Sequence, residues 1–125
     1  MIKSLDHIAI IISSEENLEF YKRLGFVETN RFVRLYDTVV FMKCKGSNTD
    51  NSTVLEIFVD KNHPDRDSMP ENLGLRHIAF SVHDLDEVIK TIDCEPIRTD
   101  WFGRRFTFTK DPDGQPIELK EVYND

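Results

Sequence analysis

The apolar and polar positions of this chain predict the same order of elements twice. Residues 5–12 and 75–82 are rich in β-branched and other apolar residues, which predicts a strand at the start of each half. Each strand is followed by apolar residues at helical spacing and then by three further strand-like stretches. In the first half the helix is predicted over 17–24 and the strands over 26–35, 38–43 and 53–59. In the second half Asp84 caps the predicted helix, and the strands are predicted over 95–99, 104–109 and 116–122.

This order predicts an α+β protein built from two βαβββ modules. Module one spans 1–60 and module two spans 73–125, and the polar connector 61–72 between them contains two prolines. A chain of 125 residues is ordinarily one domain, so we expect 1–125 to form a single domain. The eight strands are predicted to form a cupped, mostly antiparallel sheet with the helices on the outside.

One histidine and one glutamate occupy matching places in the two modules. His7 and His77 lie in the opening strands, in the segments Leu5-Asp6-His7-Ile8-Ala9 and Leu75-Arg76-His77-Ile78-Ala79. Glu56 and Glu118 lie among apolar residues in the closing strands. Because alternate side chains of a strand point to opposite faces, the apolar faces are expected to pack on the helices. The histidines and glutamates would then project from the concave face.

Two imidazoles and two carboxylates from four strands predict a site for one divalent metal ion, with His7, Glu56, His77 and Glu118 as ligands. Mixed nitrogen and oxygen donors favour Ni, Co or Zn, with Mn or Fe(II) as further candidates, whereas Mg or Ca favours oxygen alone. Taken singly, each histidine is also compatible with an ordinary core or surface residue, and each glutamate with a solvated strand face. The other histidines, His63 and His83, are expected to be exposed.

Composition narrows the class of partner. The net charge of −7 argues against nucleic acid or an anionic membrane as the main partner, since both require clustered Lys and Arg. No apolar run is long enough for a membrane-spanning helix, and the N-terminus lacks the features of a signal peptide, so a cytoplasmic location is expected. Cys44 and Cys94 form no CxxC pair and are interpreted as reduced thiols, although one disulfide remains open.

The segment 98–106 combines aromatic residues with arginines and is a candidate for substrate contact. Arginine binds carboxylate or phosphate in a bidentate way, and an aromatic ring offers an apolar surface. The predicted substrate-binding residues are Arg98, Trp101, Arg105 and Phe106. The alternative is that the aromatic residues pack in the core or at a dimer contact, while the arginines balance an acidic surface.

These features resemble the vicinal-oxygen-chelate superfamily, which includes glyoxalase I, fosfomycin-resistance enzymes, extradiol dioxygenases, methylmalonyl-CoA epimerase and bleomycin-binding proteins. The resemblance covers nearly the whole chain. It rests on the two βαβββ units, on the two histidine-bearing strands and most specifically on the ending Asp111-Pro112-Asp113-Gly114-Gln115-Pro116-Ile117-Glu118-Leu119. The segments 74–80 and 94–108 are similar to small bacterial glyoxalase I-like proteins.

The resemblance implies a metal-dependent lyase or isomerase that moves a proton on a small hemithioacetal-like substrate derived from a 2-oxoaldehyde. In glyoxalase I the positions of His7, Glu56, His77 and Glu118 all hold metal ligands. The resemblance implies Glu118 as the catalytic base, with Glu56 as the second candidate. Members of the superfamily usually dimerise, so a homodimer is expected.

The chain departs from the glutathione-dependent members of the superfamily. Those enzymes often carry Arg four residues after the first ligand and Asn four residues after the second, where this chain has Ile11 and Asp60. This departure argues against an anchor for the glutathione carboxylate, and it leaves open whether the cosubstrate is glutathione, another thiol or no thiol. The alternatives are a metal-free small-molecule binding protein of the bleomycin-resistance kind, or another enzyme of the superfamily: an epimerase, a thiol transferase or an extradiol dioxygenase.

Overall fold

The computed structural model describes residues 1–44, 53–67 and 71–122. The first half contains β1 (Ile8–Ile12), a 3-10 turn (Glu15–Asn17), α1 (Leu18–Arg23), β2 (Phe26–Val33), β3 (Thr38–Cys44) and β4 (Val54–Val59). The second half contains β5 (Ile78–Val82), α2 (Leu85–Val88), β6 (Arg98–Thr99), β7 (Arg105–Lys110) and β8 (Pro116–Glu121). The predicted α+β class and the repeated βαβββ order are confirmed.

The eight strands found in the described residues pair as two sheets of four. The chain divides into two compact units, Met1–Pro64 and Asp65–Asp125, and the division falls inside the predicted connector. The strand order is β1-β4-β3-β2 in the first unit and β5-β8-β7-β6 in the second. In each sheet the opening and closing strands run parallel, whereas the other neighbours run antiparallel. Each sheet is therefore mostly antiparallel, as predicted.

Strand alternation separates a buried face from a more open face in each unit. In β1, Ile10 and Ile12 are buried while Ala9 and Ile11 are exposed. The closing strands follow the same rule, with buried positions at Leu55, Ile57, Ile117 and Leu119. Leu18 and Tyr21 of α1 and Leu85 of α2 are almost fully buried. The apolar faces and the helices thus form the two cores, and the opposite faces are left to carry polar chemistry.

Several elements are shorter than predicted. β1 and β5 begin at Ile8 and Ile78, three residues later than predicted, because pairing with the closing strand begins there, at Leu55 and Ile117. His7 and His77 therefore lie immediately before their strands. The α-helical part of α2 ends at Val88, since the amides of Lys90 and Thr91 bond to carbonyls three residues back, as in a 3-10 turn.

Two further expectations concern the membrane and the cysteines. Within residues 1–44, 53–67 and 71–122, no helix has the length and apolar character needed to cross a membrane. Cys44 and Cys94 are half-buried and are not joined by a disulfide. Burial raises the pKa of the Cys94 thiol, with a smaller contribution from Asp93. The interpretation of both cysteines as reduced thiols is confirmed.

Candidate functional site

The first unit brings His7 and Glu56 together. β1 and β4 are parallel neighbours in which Ala9 pairs with Glu56, so the histidine two residues before Ala9 lies on the glutamate's face. The Nε2 atom of His7 lies 3.2 Å from Oε1 of Glu56. The pair stands on the open face, as strand alternation predicted.

A carboxylate orients the imidazole of His7. Nδ1 of His7 lies 2.7 Å from Oδ2 of Asp6, and this hydrogen bond is the main reason that the pKa of His7 is raised above its ordinary value of 6.5. The charge of Glu56 raises the pKa further. A proton on Nδ1, held by Asp6, leaves Nε2 as the coordinating atom, which is how many metal-binding histidines are arranged.

The second unit repeats this pair at the equivalent register. Ala79 of β5 pairs with Glu118 of β8, as Ala9 pairs with Glu56, and Nε2 of His77 lies 2.9 Å from Oε1 of Glu118. This pair is more enclosed than the first, since the side chain of His77 is 20% exposed against 38% for His7. The ring of Phe108 contacts the His77 imidazole edge-on, with 5.0 Å between the ring centroids.

A phenylalanine faces each glutamate across the sheet. Phe41 of β3 pairs with Glu56, and Phe108 of β7 pairs with Glu118, so each ring lies on the same face as its glutamate. Sequence reasoning did not identify Phe41 and Phe108 as part of the site. The signal that could have found them is their shared place in the strand before the closing strand.

The turn between β7 and β8 holds this register in the second unit. Asp111 accepts hydrogen bonds through Oδ1 from the amides of Asp113 and Gln115, at 3.0 and 2.8 Å. Gly114 has a φ of 90°, which a residue with a Cβ rarely adopts. The segment that carried the most specific resemblance in the sequence is therefore the turn that places Glu118 opposite Phe108.

The donor atoms of each pair suit a divalent metal. Two atoms bonded to one cation at about 2.1 Å lie about 3.0–3.4 Å apart when they are adjacent ligands, which compares with 3.2 Å and 2.9 Å in the two pairs. Each pair offers one imidazole nitrogen and one carboxylate oxygen, a donor set suited to Ni, Co, Zn, Mn or Fe(II). Within the described ranges, no three or more His, Cys, Asp and Glu side chains form a group that could hold a metal ion.

Two of the predicted substrate-binding residues lie near the second pair. The guanidinium carbon of Arg98 stands 5.0 Å from the centroid of the Phe106 ring and 6.0 Å from that of Phe108. A cavity of about 260 Å³ beside β7 is lined by Arg98, Phe108 and His77, among other residues. Arg98 and Phe106 are thus joined to the His77–Glu118 pair through Phe108.

The other two predicted substrate-binding residues lie elsewhere. Trp101 is 99% exposed in the turn between β6 and β7. Arg105 neighbours Phe106 in β7 and points to the opposite face, where its guanidinium lies 2.9 Å from Asp86 and 3.3 Å from Glu121. The structure therefore brings Arg98 and Phe106 to the second pair, places Arg105 on the opposite face and exposes Trp101 to solvent.

The remaining residues named in the sequence analysis are His63, His83, Asp60 and Ile11. His63 and His83 are exposed, as expected, and Nε2 of His63 lies 3.3 Å from Oδ2 of Asp60. Asp60 also accepts a hydrogen bond from the amide of Asn62 at 2.9 Å. Ile11, the other position that departs from the glutathione-dependent pattern, is 50% exposed on the open face of β1.

Comparisons with known proteins identify the family to which the chain is similar. Residues 4–119 match the profile of the Glyoxalase/Bleomycin resistance protein/Dioxygenase superfamily. The uncharacterized protein YwkD of Bacillus subtilis is 40% identical over 97% of this chain and 98% of its own. The crystal structure of a glyoxalase family protein from Enterococcus faecalis superposes with a TM-score of 0.79 at 37% identity, over 95% of this chain and 98% of that one.

A more distant neighbour carries ligands. A variant of the fosfomycin resistance protein FosX from Listeria monocytogenes, complexed with Mn(II) and 1S,2S-dihydroxypropylphosphonic acid, superposes with a TM-score of 0.67. It covers 98% of this chain and 94% of that one, at 19% identity. At that identity the likeness concerns the fold alone.

Proposed function

The chain belongs to the Glyoxalase/Bleomycin resistance protein/Dioxygenase superfamily, and on that basis we propose that it is a metal-dependent lyase or isomerase of the glyoxalase I kind. Its substrate is a small hemithioacetal-like compound derived from a 2-oxoaldehyde. One divalent cation, preferably Ni, Co or Zn, is bound by His7, Glu56, His77 and Glu118. Each unit provides two of these ligands, and the two units belong either to one chain or to two chains. The protein acts as a homodimer in the cytoplasm.

The observation that supports this proposal is that the His–Glu pair occurs at the same strand register in both units. A single histidine beside a single glutamate is an ordinary hydrogen bond in a folded protein. Here Nε2 and Oε1 lie 3.2 Å and 2.9 Å apart at equivalent places in the two units, and each glutamate faces a phenylalanine. Two such pairs provide four donors, and a divalent cation of higher coordination number would keep positions open for the substrate oxygens.

A divalent cation bound by these side chains would stabilise the negative charge that develops on the substrate oxygens as the neighbouring C–H bond ionises. Glu118 is the proposed base: its carboxylate removes the proton from one carbon and returns it to the next. Glu56 is the second candidate for this role. Phe41 and Phe108 limit access of water to the two carboxylates, and Asp6 keeps Nε2 of His7 directed at Glu56.

Arg98 and Phe106 are the proposed substrate contacts in the second unit. The guanidinium lies over the Phe106 ring and lines the same cavity as His77, so a polar substrate group near His77 comes within its reach. Arg105 is not proposed as a substrate contact, because its guanidinium pairs with Asp86 and Glu121 on the helix side of the sheet.

The alternative function, a small-molecule binding protein without a metal, has one observation in its favour. Each histidine nitrogen already stands within hydrogen-bond distance of its glutamate, so both pairs are satisfied without a cation. Metal content separates the two functions. Protein purified without chelator is expected to contain close to one Ni, Co or Zn per site, and protein that gains no metal on titration would favour the binding role.

The activity test uses metal-loaded protein and methylglyoxal with several thiols, including glutathione. The wild type is expected to form a thioester with at least one thiol, and Glu118→Gln to lose that activity by about a hundredfold or more. Glu87→Gln is the matched control, since Glu87 is an exposed residue of α2 that pairs only with Lys90 among the ion pairs of the described residues. Equal inactivity of wild type and Glu118→Gln with every thiol would exclude the lyase.

A further inference from the structure

Ala79, Glu118 and Phe108 pair side by side across β5, β8 and β7 and form one row of the second sheet. The next row on the same open face contains two cationic side chains. Ser81 pairs with Lys120, Lys120 pairs with Phe106, and Phe106 pairs with Arg98, so these four side chains lie side by side across β5, β8, β7 and β6. We call them the cationic row. It lies two residues along β8 from Glu118, a distance of about 7 Å.

The ammonium of Lys120 is held in place by a mostly buried carboxylate. Its Nζ lies 2.6 Å from Oδ2 of Asp100, and the two side chains are 28% and 11% exposed. Oδ1 of Asp100 accepts hydrogen bonds from the amides of Phe102 and Arg104, at 2.8 and 2.9 Å. One oxygen of Asp100 therefore builds the turn, while the other neutralises Lys120.

Arg98 has a weaker counter-ion. Its Nη2 lies 3.6 Å from Oε1 of Glu95, longer than a hydrogen bond, and both side chains are more than half exposed. The guanidinium is instead positioned by the face of Phe106 at 5.0 Å. Such a guanidinium keeps most of its donors available to a ligand.

The first unit shows that the fold does not need these cations. In its sheet Ile11 pairs with Phe58, Phe58 pairs with Val39, and Val39 pairs with Phe32, so the four paired positions of the equivalent row are apolar. The guanidinium of Arg34 lies 5.5 Å from the centroid of the Phe58 ring, but Arg34 follows β2 outside the row and its Nε lies 2.6 Å from Oδ1 of Asp37. The same strand order and the same His–Glu register form with that apolar row. Lys120 and Arg98 are therefore an addition to the scaffold and need a reason beyond folding.

We propose that the cationic row is a specificity subsite for an anionic substrate group, a carboxylate or a phosphoryl group, and that Asp100 is a built-in counter-ion that competes with this group for Lys120. The inference rests on the proposed function, because it takes the reacting part of the substrate to lie at Glu118. It adds that the substrate carries a negative charge about 7 Å from the reacting carbon. Lys120 is a residue that sequence reasoning did not select.

The test compares three small probes that differ in one group: glycolate, hydroxymethylphosphonate and the neutral glycolamide. Calorimetric titration gives Kd for each probe with the full metal-free chain, because in the metal-loaded chain a carboxylate or phosphonate oxygen can bind the cation directly. At least one anion is expected to bind about tenfold or more tightly than glycolamide, which corresponds to one charge-assisted interaction. The tighter of the two anions identifies the group as carboxylate or phosphoryl.

Two substitutions predict opposite changes in anion affinity. Lys120→Met is expected to reduce the preference for the anion about tenfold, whereas Asp100→Asn is expected to increase it by about threefold to tenfold. Asparagine retains the Oδ1 acceptor for the amides of Phe102 and Arg104 and removes only the competing charge. Lys90→Met, which removes an exposed lysine of the same unit, is the control and should change nothing.

The opposite signs separate recognition from a structural role. If Lys120 and Asp100 serve only to hold the turn, both substitutions will weaken all three probes alike or leave them unchanged, and the subsite is refuted. A chain that takes up no metal would refute the proposed function, while the anion preference of the metal-free chain would still decide the subsite. If Lys120→Met fails to fold, the increase in anion affinity expected for Asp100→Asn decides the proposal by itself.

Discussion

Strand β8 carries two glutamates with different surroundings, and substituting each by glutamine should separate metal binding from stability. Glu118 lies on the open face beside His77, whereas Glu121 is buried on the helix side. The Glu121 carboxylate accepts a hydrogen bond from the amide of Leu85 at 2.9 Å and lies 3.3 Å from Nη1 of Arg105. Glu121 therefore attaches the start of α2 to the sheet.

The expected magnitudes follow from these contacts. Glu121→Gln keeps an acceptor for the Leu85 amide and loses a buried charge pair, so the free energy of unfolding should fall by about 1–3 kcal/mol. Glu118→Gln loses one partly exposed contact with His77 and should cost the metal-free protein about 1 kcal/mol or less. At a metal concentration of about 100 Kd the wild type gains about 2.7 kcal/mol from binding, and a hundredfold loss of affinity reduces this gain to about 0.4 kcal/mol.

Urea unfolding with and without Ni, Co or Zn measures both quantities on each variant. Glu121→Gln should unfold at lower urea while keeping the full metal-induced gain, and Glu118→Gln should show the reverse. Glu87→Gln should match the wild type in both. The assignment of the two glutamates would be refuted if Glu118→Gln kept the metal-induced gain, or if Glu121→Gln lost it at unchanged stability of the metal-free protein.

Three further predictions test other parts of the reasoning. His7→Ala combined with Glu56→Gln, and His77→Ala combined with Glu118→Gln, should each abolish stoichiometric metal binding by elemental analysis; retention of metal by either would reduce the site to one pair. Asp6→Asn should weaken metal binding about tenfold to a hundredfold in a competitive titration, because His7 loses its orienting carboxylate, and unchanged affinity would dismiss that role. Arg31 lowers the pKa of Glu28 below its ordinary value of 4.5. Arg31→Gln should therefore lower the free energy of unfolding in urea by about 0.5–1 kcal/mol at neutral pH, and this difference should disappear as the pH falls through the lowered pKa of Glu28. A difference that persists in acid would contradict the pairing.

Two local patterns were enough to predict the face of the site. A period of two in the apolar residues of β1, β4 and β8 separated His7, Glu56 and Glu118 from the buried positions. The repetition of that pattern predicted that the two units would match. Both predictions depend on residues close in sequence, where the geometry of a strand permits little choice.

The partners of those residues depend on register, which short segments do not specify. Phe108 faces Glu118, and Lys120 approaches Asp100, only because the turn at Asp111–Gly114 sets how β7 pairs with β8. The grouping of Arg105 with Phe106 has a different cause: both lie in the predicted strand 104–109, and the alternation that sends consecutive residues to opposite faces was not applied to them. Trp101 was selected for its aromatic surface in a segment rich in arginine, and its full exposure follows from its place in a short turn closed by the carboxylate of Asp100.

The two units agree in one row of the open face and differ in the next. In the first row each unit pairs an alanine, a glutamate and a phenylalanine at one register, with a histidine two residues before the alanine, although the sheets around them are built from different apolar residues. In the second row the first unit is apolar and the second carries Lys120 and Arg98. The proposed metal site takes the same ligands from each unit, whereas an asymmetric substrate needs different contacts at its two ends. We infer that the shared row serves the reaction and that the differing row serves the choice of substrate. Lys120→Phe, which introduces the residue found at the equivalent position Phe58 of the first unit, should therefore change which probe binds most tightly and leave the affinity for metal unchanged.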